Sequence, residues 1–274
     1  MNFFDVVLWP LKWVIEAIIV SAHNFLTLLG LDPVFGVTWV LSIAILVVFV
    51  RAAMIPLFLR QMRVAKKLKD LSPQLQIIQE KYNGKIDAES RAAQSAELVA
   101  LYKEAGTSPG SFLVPVLIQA PIFLSLFAVL NHAARKGTAG VGWFTDRLAG
   151  EFNEATIFGA SLHDSFSSAV VDNITATLIL VPVIIAVMIL AQYLTLRWST
   201  DGSNRKSNGM RVQYGALILF SGVFLFSGTA FPLSLLLYML FSTLWTTVQQ
   251  FVYLMWERRT AKAVVDTVED VDAV

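Results

Sequence analysis

Five apolar runs dominate this chain, and each is about as long as the roughly 20 residues that a helix needs to cross a bilayer. Of the 274 residues, 56% are hydrophobic and only 15% are charged, which is typical of a polytopic membrane protein rather than a soluble domain. We therefore predict an all-α membrane protein with five transmembrane helices. Their predicted bounds are 36–59, 112–132, 174–197, 212–230 and 231–255.

Residues 1–30 differ from these runs, because Pro10, Lys12, Glu16 and His23 interrupt the apolar sequence. At about 100° per residue, the charged and histidine side chains fall on one narrow stripe of a helix. We predict an amphipathic helix that lies in the membrane interface. A cleaved signal peptide is the alternative, although no basic start or small-residue cleavage site appears.

The Lys and Arg residues between the runs predict the orientation. Sixteen of them lie in or beside segment 60–111, segment 198–211 and the tail 256–274, whereas the N-terminal segment and loop 133–173 together hold four. The positive-inside rule therefore predicts an N-terminus outside the cell, an outer loop 133–173 and a cytoplasmic C-terminal tail.

Segment 60–106 has the pattern of two cytoplasmic helices. Helical spacing runs from Arg60 to Tyr82, Asn83-Gly84 is a stop signal, and Asp87 can cap a second helix. We predict an antiparallel helical hairpin. It could serve only as a solvated spacer between spans, or it could be a mobile platform for nascent chains, the ribosome or partner proteins.

Arg51 is the one charged residue inside the first run, about 12 Å from Leu59 at the rise of an α-helix. A charge at that depth costs at least a few kcal/mol unless it is hydrated or partnered. The runs contain no Asp or Glu, and the first acid after the last run is Glu257. We expect Arg51 to be hydrated, hydrogen-bonded to amides, or reached by an acid from another molecule.

The amide side chains of the other spans fall in the same half of the membrane as Arg51. Gln119 lies near the start of the second span, Gln192 near the end of the third, and Gln249 near the end of the fifth. This distribution predicts a hydrated cavity that is open to the cytoplasm and closed outside, because a conducting pore needs polar lining in both halves. Each Gln could instead bond to a neighbouring helix, and Tyr238 could simply pack.

The sequence offers no catalytic machinery. There is no cysteine, the three histidines lack metal-ligand spacing, and no phosphate-binding loop occurs. We predict a protein that is not an enzyme and needs no cofactor or metal.

Several blocks of this chain resemble the YidC/Oxa/Alb membrane protein insertases, in their short five-span bacterial form. The match extends over nearly the whole chain from about Pro10. The blocks that carry it are Val50 to Leu57 (VRAAMIPL), Leu71 to Leu75, Glu80 to Tyr82, Leu101 to Gly106, Pro115 to Phe123 (PVLIQAPIF), Phe231 to Tyr238 and the pair Gln249-Gln250.

The resemblance implies a multi-pass protein of the bacterial cell membrane that inserts and helps fold nascent membrane proteins. In this interpretation Arg51 is the arginine of a hydrophilic groove, and Gln119, Gln192, Tyr238 and Gln249 line that groove or contact the client. Residues 31–274 would form the insertase core behind the N-terminal helix 1–30.

The expected partners are nascent clients, the ribosome and the lipid bilayer, with the Sec translocon and the signal recognition machinery as further candidates and no DNA. Two other functions stay open. The chain could be a small solute or anion transporter that uses Arg51 as its site, or a scaffold of a larger complex.

Overall fold

The computed structural model describes residues 3–104, 106, 114–134, 142–200, 215, 218–219, 221–223, 225–226 and 228–272. Nearly all of this is helical. The helices are α1 (Phe3–Leu28), α2 (Gly36–Ala53), α3 (Ile55–Asp70), α4 (Ser72–Lys81), α5 (Ala88–Glu104), α6 (Val114–Ala134), α7 (Asp146–Glu154), α8 (Phe166–Asp172), α9 (Thr175–Thr200) and α10 (Leu233–Asp272), with strands β1 (Thr156–Ile157) and β2 (Ala160–Ser161) between α7 and α8.

Among the described residues, four helices are long and apolar enough to cross a membrane: Val6–Leu28, Gly36–Ala53, Thr175–Trp198 and Leu233–Thr260. The last three correspond to predicted spans. The predicted span 112–132 coincides with α6, whose described apolar part is the shorter stretch Leu117–Asn131. Of the 19 residues of the predicted span 212–230, the structure describes 11, and all of these are helical. A polytopic helical membrane protein is therefore supported.

The helix that corresponds to the predicted first span, 36–59, ends before the apolar sequence does. Helix α2 stops at Ala53, and α3 begins at Ile55. The cause is Pro56, which has no N–H to donate to the carbonyl of Ala52, so the helical ladder is interrupted there. Just before this break, the backbone N–H of Met54 is shared between the carbonyl oxygens of Val50 and Arg51, at 3.1 and 3.2 Å.

The polar stripe of α1 is buried by protein. Lys12, Glu16 and His23 are 5%, 0% and 0% exposed, whereas large apolar residues such as Val6 and Phe25 are more than half exposed. A buried polar group needs hydrogen-bond partners. Glu16 finds them in three consecutive backbone N–H groups, those of residues 142–144. The interfacial position of α1 stays a prediction, and its length also suits a span.

Most of the described part of the predicted outer loop 133–173 is folded. Residues 142–174, called the cap here, contain α7, the two strands and α8. Thr145 and Ser165 begin the two helices as N-caps, each accepting a backbone N–H three residues on. The Glu16 carboxylate accepts the N–H groups of Gly142, Trp143 and Phe144 at 3.0, 3.1 and 3.4 Å.

An aromatic cluster joins the cap to the helices beneath it. Trp39 of α2 is fully buried and lies with its ring centroid 5.6 Å from that of Phe144 and 5.2 Å from that of Phe152. The His23 ring stacks on Trp39 with ring centroids 4.0 Å apart. Aromatic residues of this size contribute much of a core's stability, so the cap is a packed structure rather than a linker.

Helices α9 and α10 are parallel neighbours. At their starts, Ser165 of the cap forms a bridge with Pro232, and Gly159 lies against Ala176. Further along, the Thr195 hydroxyl donates to that of Thr247 at 3.0 Å. Both helices therefore run in the same direction away from the cap.

Helices α3 to α5 differ from the cap in how little of them is buried. The predicted first arm, Arg60 to Tyr82, is divided at Leu71 into α3 and α4, and Pro73 lies in the first turn of α4. Gly84 has a φ of 80°, as expected of a helix stop, and the Asp87 carboxylate accepts the N–H of Ser90 at 2.8 Å. Glu97 of α5 accepts hydrogen bonds from Lys81 and Tyr82, while α5 has no buried residue.

Candidate functional site

Arg51 occupies the last turn of α2, where it is half-buried between exposed apolar residues on both sides. It is two residues, or about 3 Å along the axis, from the end of α2. The predicted 12 Å refers to one continuous helix to Leu59, and the interruption at Met54 lies within that stretch. The depth of Arg51 in the membrane stays a prediction.

Gln119 lies in the first half of α6 and is half-buried. Its neighbours Leu117 and Ile118 are 68% and 38% exposed. The amide is thus part of an accessible surface that is otherwise apolar. In lipid, such a group would cost free energy unless it were hydrogen-bonded or hydrated.

Gln192 lies beside the contact between α9 and α10. There the Thr247 hydroxyl is 3.3 Å from the carbonyl oxygen of Ala191, and Trp198 packs on Phe251 with ring centroids 4.8 Å apart. Gln192 itself is half-buried. The sequence does not predict the contact between Thr195 and Thr247, which joins the two helices. Each of these hydroxyls also bonds the carbonyl four residues before it in its own helix.

Gln249 and Tyr238 have different surroundings along α10. The Gln249 carbonyl oxygen accepts a hydrogen bond from the indole N–H of Trp245 at 2.9 Å, and the residue is half-buried. Tyr238 is only 2% exposed and follows the buried stretch Leu235 to Leu237. Of the five predicted site residues, Tyr238 is the least accessible.

The predicted residues are distributed over two compact units. Arg51 and Gln119 belong to the unit formed by Met1–Leu11 and Phe49–Leu126, whereas Gln192, Tyr238 and Gln249 belong to the unit formed by Lys12–Val48 and Phe127–Val274. In the second unit the structure brings Gln192 and Gln249 to the same helix pair. Within the described part of the chain, no group of three or more potential metal ligands occurs.

Comparison with known proteins decides the family. The family model described as 60Kd inner membrane protein matches residues 30–260, which includes Arg51 and the other four predicted residues. This chain belongs to the 60Kd inner membrane protein family. The matched range also contains α2 through most of α10 and the whole cap.

Relatives in several bacteria are similar over most of their length. The membrane protein insertase YidC of Tropheryma whipplei is 35% identical over 263 residues, which cover 92% of this chain and 84% of the relative. The insertase YidC of Bifidobacterium longum is 34% identical, covering 87% and 72%, and that of Streptomyces avermitilis is 34% identical, covering 91% and 58%. These 60Kd inner membrane protein relatives are named as insertases rather than as enzymes, so the resemblance inferred from the sequence blocks is confirmed.

Proposed function

We propose that this chain is a membrane protein insertase and chaperone, which transfers nascent membrane proteins into the lipid of the bacterial cell membrane. Membership of the family and the insertase names of the relatives support this function. The observation that carries its mechanism is the lengthwise separation of polar and apolar residues in the helices. In the candidate spans Thr175–Trp198 and Leu233–Thr260, the amides Gln192, Gln249 and Gln250 lie in the half away from the cap, together with Thr195 and Thr247.

The end of the spans opposite the cap is the cytoplasmic end in this proposal. Positive residues favour that assignment, with the N-terminus outside and the C-terminus inside. Because α9 and α10 run parallel away from the cap, the chain between them has to return across the membrane. We propose that 212–230 supplies this crossing and that five spans form the core.

Arg51 would attract an acidic or polar flank of the client at the cytoplasmic end of α2. Two opposite charges 4 Å apart attract by about 4 kcal/mol at the effective dielectric of a protein surface. The apolar client segment then leaves for lipid, since burying roughly 20 apolar residues there is favourable. No nucleotide hydrolysis is required.

The amide groups of Gln119, Gln192 and Gln249 would give the client flank neutral hydrogen-bond partners. For Gln249 the contacting group would be its amide N–H, because the carbonyl already accepts from Trp245. Tyr238 could meet a client only if the packing around it opened, as its low exposure demands. We propose that these contacts, with Arg51, form a hydrophilic groove for the client.

Segment 60–106 would act as a client-capturing hairpin on the cytoplasmic side. Exposed apolar residues on it, such as Ile77 at 65% and Val99 at 51%, could contact a nascent span before it inserts. The ribosome would supply that span. The Sec translocon and the signal recognition machinery are further proposed partners, and the exposed Arg258 and Arg259 could contact ribosomal RNA by charge.

An insertion assay with Arg51 variants tests the proposal. Purified protein in proteoliposomes would receive a single-span client whose translocated flank carries either two acids or two amides. We expect Arg51→Ala to lower insertion of the acidic client about tenfold, which corresponds to about 1.4 kcal/mol. Arg51→Glu should lower it further, and Arg51→Lys should retain most activity.

Arg147→Ala is the matched control, because it removes the same charge from an exposed position of α7, outside both the proposed groove and the hairpin. It should leave insertion nearly unchanged. Equal insertion by wild type and both Arg51→Ala and Arg51→Glu would refute the role of the charge. Solute flux that depends on Arg51, with client insertion unaffected, would favour the transporter instead.

A further inference from the structure

The turn between β1 and β2 presents a phenylalanine in an unusual backbone conformation. Phe158 has a φ of 52° and is followed by Gly159 with a φ of 82°. Two-residue hairpin turns with positive φ at both positions normally have Asn, Asp or Gly first, and a bulky residue there is an outlier. The Phe158 side chain is also 86% exposed, so packing inside the protein does not account for it.

This hairpin lies beside the first residues of three candidate spans. A Cβ on Gly36, the first residue of α2, would overlap the carbonyl oxygen of Thr156, and a Cβ on Gly159 would lie 3.6 Å from that of Ala176 in α9. At the start of α10, the N–H of Leu233 donates to the carbonyl of Asp164 at 2.8 Å. The hairpin is thereby held at the level where these helices begin.

A second exposed apolar site lies at the same level. Helix α8 ends three residues before α9 begins, and its Val170 and Val171 are 57% and 82% exposed. The Ser167 hydroxyl donates to the carbonyl oxygen of Thr229 at 2.7 Å, which fastens α8 to the chain just before α10. Large apolar residues held at the ends of spans are in the position where interfacial anchors meet lipid.

We propose that Phe158, Val170 and Val171, called the apolar tip, insert into the boundary between headgroups and acyl chains of the adjacent leaflet. The occupant of this surface is lipid, because the surface continues from the ends of candidate membrane spans whose own exposed side chains, such as Ile179 and Val183, are apolar. The strained turn at Phe158 is then a means of directing a large ring toward the membrane. This anchor fixes the cap at the membrane surface and does not depend on how clients bind.

Fluorescent labels can measure this contact, since the chain contains no cysteine. Single variants Phe158→Cys and Val171→Cys would each be labelled with a small fluorophore and reconstituted into vesicles. Glu154→Cys is the matched control, because Glu154 is exposed at the end of α7 in the same cap. Lipids brominated near the headgroup and dissolved iodide would be compared as quenchers.

We expect brominated lipid to quench the labels at 158 and 171 several-fold more strongly than the label at 154, with the opposite order for iodide. Labels at 158 and 171 that respond like the control would overturn the proposal. Protection from both quenchers, with dipolar coupling between nitroxides on two copies, would also overturn it and would indicate a dimer contact.

A second measurement leaves the chain unsubstituted. Hydroxyl-radical footprinting in nanodiscs would compare Phe158 with Ile86, which is 80% exposed in the turn between α4 and α5. Phenylalanine reacts faster than isoleucine in water, so lipid contact is indicated if Phe158 is modified less than Ile86. Greater modification of Phe158 would contradict the anchor.

Discussion

The cap and the α3–α5 segment are both polar-rich connections between apolar helices, yet they are stabilised in different ways. In the cap, Phe144 and Phe152 are 2% and 0% exposed, and the buried Glu16 satisfies three backbone groups. In α5 no residue is buried, and the contact with α4 depends on Glu97 at the surface. A region with few buried apolar contacts opens locally at low cost. The cap is therefore a fixed structure, whereas the α3–α5 segment is suited to move.

The largest effect is expected where the cap meets α2. A methyl group at Gly36 would overlap the Thr156 carbonyl, whereas a methyl at Gly150 of α7 meets nothing within 4 Å. Gly36→Ala should therefore destabilise the protein by about 3 kcal/mol through overpacking. Gly150→Ala should stabilise it by up to about 1 kcal/mol through helix propensity. Thermal unfolding in nanodiscs at one scan rate would compare them, and equal midpoints would contradict a tightly packed cap.

A smaller effect is expected at Glu16. Glu16→Leu leaves three N–H groups without their acceptor, but those of Gly142 and Trp143 can turn to water because these residues are exposed. The buried N–H of Phe144 cannot, so we expect a loss of about 2 kcal/mol. Glu16→Gln keeps one acceptor oxygen and should lose less. If the leucine variant unfolded at the wild-type temperature, the carboxylate would not be fastening the cap.

The smallest effect is expected in the α3–α5 segment. Hydrogen bonds from Lys81 and, to a smaller extent, from Tyr82 lower the pKa of Glu97 below its ordinary value. A lowered folded pKa means that this contribution is present above the unfolded pKa and is lost as pH falls through the folded value. Hydrogen exchange of residues 81–97 should show slower exchange in wild type than in Glu97→Gln near neutral pH.

The difference between wild type and Glu97→Gln should vanish at acidic pH, where both side chains are neutral. Exposed ion pairs stabilise little, so the change should be confined to α4 and α5 and leave the cap unaffected. Spread of faster exchange into residues 142–174 would show that the two regions are not independent.

Much of the helical framework could be predicted from the sequence. The predicted spans 174–197 and 231–255 agree with Thr175–Trp198 and Leu233–Thr260 within a few residues, except for the later end of the last. Long apolar runs leave few alternatives to a helix. The end of α2 was missed because apolar residues continue past Pro56, although the proline itself was the available signal.

The cap could not be predicted to the same degree. Thr145 and Ser165 are residue types that commonly begin helices as N-caps. Nothing local in the sequence, however, indicates that Gly142 to Phe144 fold back onto Glu16. The sequence predicts the polar stripe of α1 and expects it to face the membrane interface. In the structure, Lys12, Glu16 and His23 of this stripe are instead buried by protein. For the site, candidate residues could be chosen from the sequence by residue type and by depth in each predicted span. Their exposure could not be predicted: Tyr238 is buried, whereas Gln192 is half-buried.

The central claim is that position 51 is reached by water from the cytoplasmic side only. Arg51→Cys and, one turn deeper at a 2% exposed position, Val47→Cys would be treated in sealed vesicles with a charged, membrane-impermeant thiol reagent added to one side at a time. We expect position 51 to react from the cytoplasmic side alone and position 47 to stay unreactive. A position 51 that does not react, or that reacts equally from both sides, would contradict it.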